Sequence, residues 1–216
     1  MRIPDQVIPT KNIMRSDIDP NLSDREMQVI NILAQCRAAL WDSINIWPNK
    51  FKGQNKIQSL VRWGILWSYS LGEKEIVTLS PISERIAGTK AYIPGDPREV
   101  IKIVTASELF ISALSKTPCI FESAQYPLQG ILKIGDYSAG VIVLLKGDKI
   151  LSQPDLNCLV ICENEEHICS TAESLFFPAL FTTRNDLINK DISEAFQIYK
   201  DGSLLPIKLN IFDKVT

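Results

Sequence analysis

Residues 49 to 62, NKFKGQNKIQSLVR, gather side chains that suit nucleic-acid recognition. Gln54, Asn55, Gln58 and Arg62 carry the amide and guanidinium groups that form paired hydrogen bonds to base edges in a major groove. Lys50, Lys52 and Lys56 supply ammonium groups for phosphates, and Lys74 follows in a Gly-Glu-Lys turn. Ile57, Leu60 and Val61 recur at helical spacing. One helix from about Gly53 to Trp63 is therefore expected to bury these three and turn the polar set, Ser59 included, outward. A solvated helix face on a protein-binding domain would show the same pattern.

Other candidate chemistry is thinner. Cys158, Cys162, His167 and Cys169 are of metal-ligating type, but structural zinc sites use closely spaced cysteines on tight turns. Cys158 and Cys162 lie instead along an apolar stretch, where residues four apart on a strand share a face, so two small buried hydrophobes are expected. His167 is the only histidine, which excludes any mechanism needing two. It opens an expected helix and is read as a partly exposed surface residue. No Gly-rich phosphate loop occurs, and GDYSAG lacks the spacing of a nucleophile elbow. Trp41, Trp47, Trp63 and Trp67 could stack on single-stranded bases. A compact core for a small domain is the better account of them.

Those residues must be positioned by regular elements. Ser23 with Glu26 three residues on is a capping box, and Leu22 and Met27 occupy staple positions. Met27, Ile30, Leu33 and Ala34 mark one face of the helix that follows. A short second helix is expected in WDSINIWP, capped by Asp42 and ended by Pro48. The recognition helix comes third, with Gly64 placed to end it. ILWSYS and EIVTLS alternate as a hairpin around LGEK, and Pro81 to Gly88 reads as a short helix capped by Ser80. A boundary is expected near AYIPGDPREV. Beyond it, REVIKIVTASELFISALSK reads as a helix, GILKIGDYSAGVIVLLKGDKIL and NCLVICEN as strands, and EEHICSTAESLF as a helix. ALFTT then reads as a strand and NDLINKDISEAFQIYK as a helix. That order predicts an α/β half with partly parallel pairing.

The 216 residues suit an arm over 1–20, a first domain over 21–93 and an α/β domain over 96–216, an α+β fold in total. The net charge of −2 excludes a protein basic throughout, yet residues 45 to 74 hold five Lys and Arg against one acidic residue. No apolar run approaches a membrane span and the N-terminus is no signal peptide. Five cysteines at irregular spacing fit reduced thiols in a cytoplasm.

Three helices followed by a hairpin is the order of a winged helix-turn-helix. With LSDREMQVINILAQCRAALWDSINIWP and IQSLVRWGILW in the first half, and TASELFISAL, LVICENEEH and LFTT in the second, the chain resembles the replication-relaxation family of plasmid and mobile-element proteins. The resemblance implies a DNA-binding accessory of replication, mobilisation or maintenance, with a nuclease-like second domain. This sequence departs from a working nuclease, which needs an Asp and then an acid-x-Lys pair to hold Mg²⁺. Asp136 or Asp155 could be a first aspartate, but no such pair follows either on a strand. The second domain is accordingly expected to be non-catalytic, without cofactor or metal, and to serve dimerisation or partner contact. The expected partner is double-stranded DNA, bound by a homodimer. An interaction module without DNA binding and a metal-dependent nuclease are the alternatives.

Overall fold

The computed structural model describes residues 3–12, 21–150, 152, 154–175 and 177–212. It is a mixed α+β fold that divides into two compact units, Arg2–Val104 and Thr105–Thr216.

The first unit carries helices and a four-stranded antiparallel sheet. Helix α1 (Asp24–Cys36) starts where the capping box places it: the Glu26 carboxylate accepts from the Ser23 N–H at 2.8 Å and from its hydroxyl at 2.6 Å. Its buried stripe is Glu26, Val29, Ile30, Ile32, Leu33 and Cys36, while Met27 and Ala34 are only half-buried. β2 (Ala38–Leu40) follows and then α2 (Lys50–Arg62), with the hairpin strands β3 (Leu66–Leu71) and β4 (Lys74–Leu79) after it. With β1 at Val7–Lys11, strand order is β1-β3-β4-β2, all pairs antiparallel. Gly72 has φ +63° and opens the two-residue hairpin loop, the position where a II′-type turn requires glycine. α3 (Glu84–Ala87) ends on Gly88 at φ +67°.

Four differences from the sequence expectations have local causes. The second helix does not form. Residues 41 to 44 close a single turn, in which Ser43 and Ile44 both donate to the Leu40 carbonyl at 3.1 Å. β2 takes up the chain to Leu40 and Pro48 stands seven residues beyond Trp41, leaving too little length to repay helix nucleation. The helix expected from about Gly53 starts at Lys50 instead, because Asn49 caps it by accepting from the Lys52 N–H at 3.0 Å. α3 begins at Glu84, since Ser83 donates its hydroxyl to the Ile65 carbonyl and the preceding residues form turns. Finally, residues Val7–Lys11 of the expected arm form a strand, β1, on β3. Residues 1, 2 and 13–20 of that arm lie outside the described ones.

In the second unit the sheet has seven strands in the order β11-β10-β9-β8-β7-β6-β5. β5 (Ile120–Glu122), β6 (Gly130–Ile134) and β7 (Tyr137–Val143) form an antiparallel meander. β7, β8 (Cys158–Cys162) and β9 (Ala179–Thr183) run parallel; β8 and β9 are joined through a helix, as strand-helix-strand order predicts, whereas no helix is described between β7 and β8. Every residue of β8 is buried, which fits a run of five apolar residues at the centre of a sheet. α4 (Pro97–Leu114) is the long helix expected, and α5 (Glu165–Ala172) follows β8. The expected helix over residues 185 to 200 is corrected. α6 (Arg184–Asn189) is short, a 3-10 turn follows over Ile192–Glu194, and the rest is β10 (Phe196–Lys200), paired with β11 (Ser203–Ile207). Asp201 and Gly202, both at positive φ, make the intervening I′-type turn.

No helix among the described residues is long and apolar enough to cross a membrane.

Candidate nucleic-acid interface

α2 is held at both ends. Asn49 caps the start, while the N–H groups of Trp63, Gly64 (φ +74°) and Ile65 close the end by donating to the carbonyls of Ser59, Val61 and Leu60 respectively. Ile57, Leu60 and Val61 are buried, as the spacing predicts. Gly53 is buried too, against the side chain of Asn45. That side chain ties the preceding turn to the helix, donating to the Lys50 carbonyl at 2.8 Å and accepting from the Trp47 N–H at 3.3 Å.

The structure separates the predicted residues into two groups. Lys50, Lys52, Asn55, Gln58 and Arg62 are exposed. Residues 51, 55, 58 and 62 follow one another at spacings of four, three and four, a single stripe about 16 Å long. Among the described residues Lys50, Lys52, Arg62 and Lys74 have no ion-pair partner, so their ammonium and guanidinium groups face water. The other residues are engaged elsewhere. Lys56 is held by Glu26 at 3.2 Å. Ser59 is half-buried and returns its hydroxyl to the Asn55 carbonyl at 2.9 Å. Gln54 is half-buried and lines a cleft of about 420 Å³ with Asp42, Glu73, Lys74 and Glu75, so Lys74 stands between two carboxylates at the hairpin tip.

Glu26 therefore serves α1 and α2 together. Burial opposes its charge, but hydrogen bonds from the Ser23 hydroxyl and N–H and from Lys56 outweigh that, and its carboxyl is held below the usual range.

Two aromatic residues belong to the same exposed face and were not among the predicted contacts. Phe51 is 74 % exposed between the two lysines, and Trp63 is 39 % exposed at the other end. Phe51 was legible as the first member of the 51-55-58-62 stripe once the helix starts at Lys50. Trp47 and Trp67 are core, and Trp41 is half-buried.

In the second unit, Cys158 and Cys162 are buried in one apolar cluster with Val160, Ile142 and Phe181. Burial pushes their thiols up to about 11 and about 12. Among the described residues no three His, Cys, Asp or Glu side chains are placed to share a metal ion. Asp136 lies exposed in the β6–β7 turn and Asp155 exposed ahead of β8. His167 is half-buried, in keeping with the partly exposed residue expected, and its Nδ1 is enclosed without a hydrogen-bond partner among the described residues.

Compared with profiles of known protein families, with curated proteins and with solved structures, the chain matches none.

Proposed function

We propose that the first unit is a winged-helix domain that binds double-stranded DNA, with α2 as the helix that enters the major groove. The observation that carries this reading is the outward face of α2, where Asn55, Gln58 and Arg62 share one stripe and exposed Lys50 and Lys52 stand to either side of its amino-terminal end. Helix, strand, helix and hairpin in that order, with β2 laid on β4, is also the strand arrangement of a winged helix. The second helix of that motif is reduced here to one turn at residues 41 to 44. Asn55, Gln58 and Arg62 are the base-edge readers, Lys50 and Lys52 the phosphate contacts, and Lys74 a flanking contact from the hairpin. Gln54 and Ser59 move to the margin of the interface and Lys56 becomes a strut between helices.

The second unit is read as a non-catalytic α/β domain for dimerisation or partner contact. A role in plasmid or mobile-element replication, mobilisation or maintenance rests on the sequence resemblance alone.

Fluorescence anisotropy with labelled duplex DNA at rising salt tests the reading. Binding is expected to weaken linearly on a log–log plot, and Lys50→Glu with Lys52→Glu is expected to abolish it while leaving the fold intact by circular dichroism. Absence of any shift at low salt with folded protein would overturn it.

One observation favours a second reading. Phe51 and Trp63 expose aromatic surface on the helix that carries this face. Exposed aromatics are typical anchors of protein interfaces. A protein-binding helix face would retain its partner in the lysine variant and lose it on Phe51→Ala.

A further inference from the structure

We infer, resting on the reading of α2 as a DNA-binding helix, that Phe51 is itself a base reader whose ring packs on the 5-methyl group of a thymine. The target duplex then presents, in order along the major groove, thymine to Phe51, adenine to Asn55 and Gln58, and guanine to Arg62.

The placement of Phe51 carries this. It is the most exposed large hydrophobic among the described residues, at 74 %. It stands at the second position of α2, directly after Lys50 and the Asn49 cap. The amino-terminal residues of a recognition helix are those that meet base edges. At about 100° per residue, Asn55, Gln58 and Arg62 fall within about 40° of Phe51 around the helix axis, whereas Lys50 and Lys52 turn about 100° away in opposite directions. The buried Gly53, Ile57 and Leu60 take the opposite side. Asn55, Gln58 and Arg62 keep their side-chain donors and acceptors for a ligand, since none bonds to another described residue. The outward face is thus an apolar ring followed by two amides and a guanidinium, with an ammonium group on each flank.

That arrangement complements a major groove, which has a phosphate backbone along each wall and base edges on its floor. The apolar feature of the floor is the thymine methyl group. Amides pair with N6 and N7 of adenine, and a guanidinium with O6 and N7 of guanine. A protein partner would have to place acidic groups on both sides of an apolar pocket and continue with a row of matched polar groups. The duplex supplies all of these by its regular geometry.

Selection of a randomised duplex library on the full-length protein, read by sequencing, tests the order of bases. Replacing each selected thymine in turn by deoxyuridine then removes a single methyl group. At one position this is expected to weaken binding about fourfold, the worth of one buried methyl. Phe51→Ala, with its fold checked by circular dichroism, should bind the thymine and uracil duplexes alike. Asn55→Ala and Arg62→Ala should each lose about tenfold of base preference, at adenine and at guanine respectively. The proposal fails if duplex binding persists but no uracil replacement weakens it, or if Phe51→Ala keeps the methyl preference. It fails too if salt-dependent binding persists without any enriched sequence, which would leave backbone contact alone. Absence of duplex binding by the unmodified protein at low salt would overturn DNA binding itself, and this contact with it.

Discussion

At the residue scale, burial decides which groups react. Cys36, Cys158 and Cys162 are buried, whereas Cys119 and Cys169 are half-buried. Thiolate is the reactive form, and desolvation holds the Cys158 and Cys162 thiols neutral at any physiological pH. Iodoacetamide at neutral pH followed by peptide mass spectrometry should modify Cys169 first. Cys119, also pushed up to about 11 by burial, should follow more slowly, and the three buried thiols should react only after unfolding. Glu26 is the opposite case, an acid whose charge the fold favours. Its folded pKa lies below the unfolded one, so the stability it confers is complete above the ordinary carboxyl range near 4.5 and is lost as pH falls through the folded value. Glu26→Gln should cost about 1–3 kcal/mol at pH 7. In urea unfolding at pH 7 and pH 3, the gap between the two proteins should narrow at the lower pH; an unchanged gap would refute the assignment.

At the scale of the element, α2 shows propensity and packing in conflict. Alanine in place of an interior helical glycine ordinarily stabilises by about 1 kcal/mol. At Gly53, however, an added Cβ would lie 1.7 Å from Oδ1 of Asn45, the side chain that bonds both Trp47 and Lys50. Gly53→Ala must displace those two bonds, and a net loss of about 1–3 kcal/mol is expected from urea titration. Asn45→Ala removes the obstruction, so the double variant should be more stable than the two single losses predict by addition. Strict additivity would mean that the close approach has no energetic weight. The helix that carries the candidate interface is thus fixed by a turn that came out too short to be a helix.

For the whole molecule, charge sets how DNA binding would respond to salt. A net charge of −2 offers no general attraction to phosphate, so affinity must come from the few cations of one face. Lys50, Lys52, Arg62 and Lys74 are the candidates without an ion-pair partner among the described residues; at about 0.9 counterions released per contact, four contacts give a log–log slope near −3.6. Raising salt from about 50 to about 200 mM should then weaken binding roughly 100-fold. Lys56→Ala should alter the slope little and lower stability instead, because that ammonium is committed to Glu26. A slope steeper than about −6 would require cations from beyond this face, and a flat one would favour the protein-binding reading.

What the sequence determined by itself was the local and the periodic. The capping box at Ser23 and Glu26, the buried face at Ile57, Leu60 and Val61, the LGEK hairpin and the fully apolar strand at Cys158–Cys162 follow from neighbours within a few positions. The DG turn at Asp201 and Gly202 carried an equally local hairpin signal, and the helical reading of residues 185 to 200 passed over it. Tertiary structure decided the rest. Only long-range pairing could place Val7–Lys11 on β3, commit Lys56 to a glutamate thirty residues earlier, or turn Gln54 toward the acidic hairpin tip. Hydrophobic spacing says which face of a helix is inside, but the charge of the surface facing it comes from chain segments that the spacing does not contain.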